Sequence, residues 1–290
     1  MITEEPSQQQ VTPLPEEPVY PAPLLGHEVQ PSPGPQSIVW WLPWLEVGKA
    51  LMVWVISVMF LLFIPVIIAL PYLIYKIVAS GAPSPEALAA DKTLIFLSVL
   101  GIVPAHLLTL LATWAFVSNW GRRPFWKNLE FEWPKNVGPM VAGLLSLLVA
   151  IALLAIAWVV TSYWGGSKTQ LDLLIESSMP ARFLTAFVAV ATAPLVEELV
   201  YRGVLYSAIE KAGGVVVAVL IVSLLFAGVH VFQYINNVAV ITVITLLSFT
   251  LTITRAYTGK LLPCFVIHLV FNGIQSLILV LAPFVDKGTG

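Results

Sequence analysis

After residue 40 the chain is dominated by long apolar runs separated by short polar breaks. The runs fall at roughly 48–75, 93–119, 137–163, 182–210, 214–234, 236–258 and 261–283. Crossing a bilayer takes about 20 apolar residues in helical form. In lipid the backbone must satisfy its own hydrogen bonds, so runs of this kind are helices. The pattern predicts an all-α, polytopic membrane bundle with seven or eight transmembrane helices. Pro65 and Pro71 are expected to kink or shorten the first run. Pro194 is expected to bend the fourth or split it into two half-helices, which is the source of the eighth. Residues 170–179 are too polar to span and read as a short interfacial helix.

The first 37 residues have a different character. They carry nine prolines, five glutamates and neither lysine nor arginine. Such a segment cannot bury a core, so 1–37 reads as a disordered tail ahead of a helical domain over 38–290. It does not read as a signal peptide, which begins with positive charge followed by a short apolar run. Trp40, Trp41 and Trp44 precede the first apolar run, at the place where tryptophan marks the membrane–water boundary.

Composition supports the membrane reading: 58% of the 290 residues are hydrophobic and 10% are charged. Soluble domains are about one-quarter charged. The formal charge of -2, with no basic clustering of the required kind, excludes nucleic acid as a partner. The one cysteine, Cys264, excludes an internal disulfide framework and reads as a small buried hydrophobe. Arg122, Arg123, Lys127 and Lys135 form the densest basic cluster. Placing it in the cytoplasm puts the N-terminus inside, with Lys49, Lys211, Arg255 and Lys260 on the same side.

Ionisable groups inside spans are costly and mark function. The fourth run contains Glu197, Glu198 and Arg202, the fifth contains Phe226 and His230, and the seventh contains His268 and Asn272. Glu198 and Arg202 are four apart and share a helix face, so they can pair. Glu197 lies about 100° further round the helix. It lacks that partner and suits a group that takes and returns a proton. His268 and Asn272 are again four apart, a pair able to offer donors to a developing oxyanion. His230 could orient a water with Glu197. His106, alone on the second run near Pro104, reads as a packing residue, and Phe226 as packing in either case.

These three elements, in this order, resemble the CAAX protease and bacteriocin-processing family of membrane proteins. The family pattern is two glutamates followed by arginine, then Phe-x-x-x-His, then His-x-x-x-Asn or Asp. Glu197, Glu198 and Arg202 fit the first, Phe226 and His230 the second, His268 and Asn272 the third. The resemblance covers about 180–283. It implies an all-helical intramembrane endopeptidase in which Glu197 and His230 activate water and His268 and Asn272 form the oxyanion site. Glu198, Arg202 and Phe226 would support that site. The implied substrate is a peptide or protein, lipidated or membrane-associated.

No cofactor is expected. The His-Glu-x-x-His spacing of common zinc proteases is absent. A zinc held by Glu197, His230 and His268 stays open as an alternative, although it leaves Asn272 with no first task. Two other functions compete: a non-enzymatic membrane protein such as a bacteriocin-immunity factor or scaffold, and a transporter, for which a broken charged helix would be apt. No second broken helix accompanies Pro194, which counts against transport.

Overall fold

The structure is a computed structural model, and it describes residues 42–164, 175, 178–234 and 237–286. The tail 1–37 and most of the expected interfacial helix at 170–179 lie outside the described residues. All regular structure among the described residues is helical. The helices are α1 (Leu42–Ser80), α2 (Pro85–Ala89), α3 (Lys92–Ser118), α4 (Phe125–Asn128), α5 (Pro139–Tyr163) and α6 (Met179–Phe187). A π-helical segment π1 (Val188–Thr192) leads into α7 (Ala193–Glu198), and a second, π2 (Leu199–Leu205), leads into α8 (Tyr206–Tyr234). Helices α9 (Val238–Thr258) and α10 (Leu262–Asp286) complete the chain.

Six of these helical stretches are long and apolar enough to cross a membrane. One of them, Met179–Val231, runs for 53 residues. At about 1.5 Å per residue that is more than twice the ~30 Å of a hydrocarbon core. Gly214 resolves the excess: its φ of 82° and ψ of 171° are not helical. The chain doubles back there, because the Tyr201 and Phe226 rings, 25 positions apart, sit 5.0 Å from one another. In an unbroken helix they would be separated by about 37 Å. The six stretches therefore make seven passes, and the described residues hold no eighth.

The prolines behave differently from expectation. Helix α1 continues through Pro65 and Pro71 to Ser80 and is not shortened. Pro65 lies where α1 crosses α3 at Gly101, and a Cβ added at Gly101 would come within 2.5 Å of the Pro65 Cα. Pro194 does not split its helix either. The preceding turn is wound as π-helix, and Thr192 opens to φ -117° just ahead of it. A wider turn makes room for the ring and for the missing N–H.

Helix α1 packs along α3, α8 along α9, and α10 against α5. The larger core gathers Val200, Tyr201 and Val204 with Val222 and Phe226, and so joins the two arms that meet at Gly214. A smaller one joins α5, α9 and α10 around Leu251, Cys264 and Phe271. Two ends of the bundle are distinguishable. At one, Lys260 pairs with Glu130 and with Glu132, and Leu261 N–H donates to the Glu130 carbonyl at 2.9 Å. At the other, Lys76 pairs with Asp91, and Arg182 donates to the Leu279 carbonyl at 3.1 Å.

Candidate active site

The segment from Val188 to Leu205 carries the glutamates, with π1 on one side of α7 and π2 on the other. π-Turns inside helices are concentrated at functional sites, because the wider turn re-aims side chains and leaves backbone groups for other partners. Both consequences are visible here.

Glu198 and Arg202 are completely buried and paired, Arg202 Nη1 donating to Glu198 Oε1 at 3.0 Å. The guanidinium is gripped on its remaining edges. Its Nε donates to Thr252 Oγ1 at 3.2 Å, and its Nη2 to the Ser248 carbonyl and hydroxyl at 3.0 and 2.9 Å. Its plane lies 4.6 Å over the Phe226 ring. A charge removed this far from water persists only when paired and hydrogen-bonded, and the guanidinium meets both requirements, while Glu198 Oε2 has no partner among the described residues.

The same Glu198 oxygen takes a second donor, His268 Nδ1, at 2.8 Å. The other ring nitrogen of His268, Nε2, points to Glu197 Oε2 at 3.7 Å. His268 thus bridges the two glutamates, linking the first and third sequence elements. Glu197 keeps about one-fifth of its side chain exposed while Glu198 keeps none. Two adjacent carboxylates therefore occupy different surroundings, as their angular separation on the helix requires.

Phe226 brings in the second element. Its ring lies 4.8 Å from the His230 ring and 6.1 Å from the His268 ring. His230 Nδ1 is 2.9 Å from the Phe226 carbonyl. A carbonyl only accepts, so Nδ1 carries a proton and the Nε2 edge of the ring is turned away from that bond.

Asn272 has a partner the sequence did not suggest. Its side-chain amide donates to the Ala189 carbonyl in π1 at 3.0 Å. In π-register that carbonyl would receive the N–H of residue 194, which is proline and has none. Asn272 therefore supplies the hydrogen bond that Pro194 withholds, and retains a second amide N–H.

His106 also does more than pack beside Pro104. It is buried, and its Nδ1 lies 2.8 Å from Thr192 Oγ1 in π1. Thr192 in turn donates to the Val188 carbonyl at 3.2 Å. Trp54 Nε1 donates to the Tyr201 hydroxyl at 3.0 Å on the α1 side. Neither Thr192, Ser248, Thr252 nor Trp54 stands out in the sequence, since serine, threonine and tryptophan are ordinary in membrane helices. The first and third elements are thus joined directly, and the second reaches them through Phe226. Among the described residues no three His, Cys, Asp or Glu side chains are grouped as a metal ion would need.

This geometry can be set against known proteins. Residues 179–274 match the family model of Rce1-like, type II CAAX prenyl endopeptidases. The matched segment runs from the start of α6 into α10 and contains every residue on which the sequence resemblance was drawn. No curated protein and no solved structure matches the chain. The resemblance to CAAX proteases is therefore borne out over the portion that carries the three motifs, in a multi-pass helical membrane protein.

Proposed function

We propose that the protein is an intramembrane endopeptidase that hydrolyses a peptide bond near the C-terminus of a lipidated, membrane-associated substrate. The observation that carries this reading is the His268 bridge between buried Glu198 and partly exposed Glu197, a cluster of acid and base drawn from positions about 70 residues apart. The prenylated substrate class comes from the description of the matching family.

In the proposed reaction Glu197 takes a proton from water as the hydroxide adds to the scissile carbonyl carbon. His230 Nε2, held in place by the Nδ1 bond to the Phe226 carbonyl, orients that water. The oxyanion so formed accepts hydrogen bonds from the free Asn272 N–H and from His268. His268 can donate from Nε2 only as imidazolium, since its Nδ1 proton is already committed to Glu198. As the C–N bond breaks, Glu197 returns its proton to the leaving amine. The products are a carboxylic acid and an amine, which then exchange the remaining proton to give a carboxylate and an ammonium, and in this route no metal takes part. A scaffold or immunity role would need the buried Glu198–Arg202 pair but not a partly exposed Glu197.

The test is cleavage of a farnesylated peptide by the purified full chain in nanodiscs. Glu197→Gln is expected to fold normally and to lose about 10²–10⁴-fold in rate, the usual worth of a positioned acid–base group. Wild-type cleavage by that variant, or no cleavage by the wild type with any lipidated peptide, would overturn the proposal. Stoichiometric zinc, with activity lost on stripping and regained on restoring it, would overturn the metal-free route.

A further inference from the structure

A cavity of about 730 Å³ opens between α1, the end of α3, α4 and the π2–α8 helix, and neither Glu197 nor any other proposed catalytic residue lines it. Its polar lining includes Lys49, Arg123, Ser207 and Lys211. The one carboxylate in its lining, Glu46, is taken by Lys49 at 2.6 Å. Among the described residues no carboxylate lies within ion-pair reach of Arg123 or Lys211, so two cations face the same space with no counter-ion from that part of the chain.

Ser207 adds a third donor. Buried Arg255 donates from Nη2 to Ser207 Oγ at 3.3 Å, while its Nε has no partner among the described residues. With its oxygen accepting from a guanidinium, the Ser207 hydroxyl is free to donate its proton into the cavity. Arg123 is held at the rim by a tight backbone turn. Its N–H donates to the Ser118 carbonyl at 2.8 Å, and Asn119, Trp120 and Gly121 are three consecutive residues with φ of 49°, 58° and 83°. Asn119 and Asn128 add further polar groups to the lining, and Ala50, Phe116, Val204 and Ala208 form its apolar part.

We propose that this cavity seats the phosphate of an anionic phospholipid, held by Arg123, Lys211 and Ser207, with the glycerol and upper acyl chain on the apolar wall. A volume of this size suits a drug-sized ligand and far exceeds a bare phosphate. The cavity lies at the end of the bundle where Trp44, Trp120 and Trp126 are at least half exposed, as residues at the lipid–water boundary are. Basic pockets between helix ends at that depth complement lipid headgroups. Trp54 and Tyr201, hydrogen-bonded to each other, lie about one helical turn along their chains from the lining residues Ala50 and Val204. The inference does not depend on the proposed protease activity.

The experiment uses the full chain in neutral detergent, titrated with phosphatidylglycerol or phosphatidylcholine and read by native mass spectrometry. Preferential retention of one phosphatidylglycerol is expected. The Arg123→Gln, Lys211→Gln double variant should weaken it at least tenfold, and Ser207→Ala severalfold. Lys92→Gln, an exposed lysine at the far end of α3, should leave it unchanged. All these side chains are exposed or half-buried, and unchanged thermal unfolding checks that the variants fold. Equal retention of both lipids, or undiminished phosphatidylglycerol binding by the double variant, would overturn the proposal. Displacement of the lipid by equimolar inorganic phosphate would show a free-anion site and would also overturn it.

Discussion

Asn272 carries two duties that separate experiments can tell apart. It completes the hydrogen bonding of π1 through the Ala189 carbonyl, and it is positioned one turn beyond His268 on α10. Asn272→Ala should cost about 0.5–1.5 kcal/mol of stability, the net worth of one hydrogen bond, since this one is only part-buried. If it also donates to the oxyanion, the folded variant loses about 10²–10³-fold in cleavage rate. Thermal unfolding measures the first, and single-turnover cleavage by folded protein the second. A stability loss with unchanged rate would leave Asn272 as support for Pro194 alone. Glu198 calls for the opposite signature. It accepts from both Arg202 and His268 inside a site with no exposure, so Glu198→Ala leaves a guanidinium buried and unpaired. A loss of about 3–5 kcal/mol is expected, read as a fall in folded yield and unfolding temperature. An unaltered unfolding temperature would show that the pair does not hold these helices together. The four-residue spacing made the Glu198–Arg202 contact legible in the sequence. The anchoring of Arg202 by Ser248 and Thr252 was not, because it depends on which face α9 presents across a helix interface.

At the scale of elements, hydrophobic run length was the reliable signal. The spans expected at 93–119, 137–163, 236–258 and 261–283 correspond to α3, α5, α9 and α10 within a few residues. Proline was the unreliable one. A proline removes one N–H and crowds one carbonyl, and the chain can answer by breaking, kinking or rewinding into a wider turn. Which answer wins depends on whether a neighbouring helix brings a donor to the orphaned carbonyl. For Pro194 that donor is Asn272, nearly 80 positions later, so no local reading could find it. Glycine marks the true break. Gly214 has a backbone conformation open to almost no other residue, and it is where the chain reverses between the fourth and fifth passes. Gly214→Ala should cost about 1–3 kcal/mol. Gly228→Ala, at a helical position where an added Cβ meets nothing within 4 Å, should be neutral or stabilising. Thermal unfolding of the two variants in detergent compares them directly, and equal behaviour would show that the turn does not require glycine.

On the scale of the whole molecule, the basic residues sort by end. Lys49, Arg123 and Lys211 line a single cavity, although they come from three widely separated parts of the chain. Arg255 reaches Ser207 on the wall of that cavity, and Lys260 pairs with Glu130 and Glu132 in the segment that follows α4. Lys76 and Arg182 lie at the opposite end, tied to Asp91 and to the Leu279 carbonyl. Among the described residues the excess of lysine and arginine is thus gathered at one end of the bundle, and that end is expected to be cytoplasmic. The N-terminal end of α1, with Glu46 and Lys49, belongs to it. Cys264, the one native thiol, is fully buried, so single introduced cysteines report without background. Lys127→Cys, in the basic segment, should react with a membrane-impermeant maleimide in inside-out vesicles and not in intact cells. Ala82→Cys, exposed between α1 and α2, should do the reverse. The opposite pattern would place the basic end outside. Labelling of both positions from one face would contradict the two-ended arrangement itself, and with it the location of the anion-seating cavity at a single membrane surface.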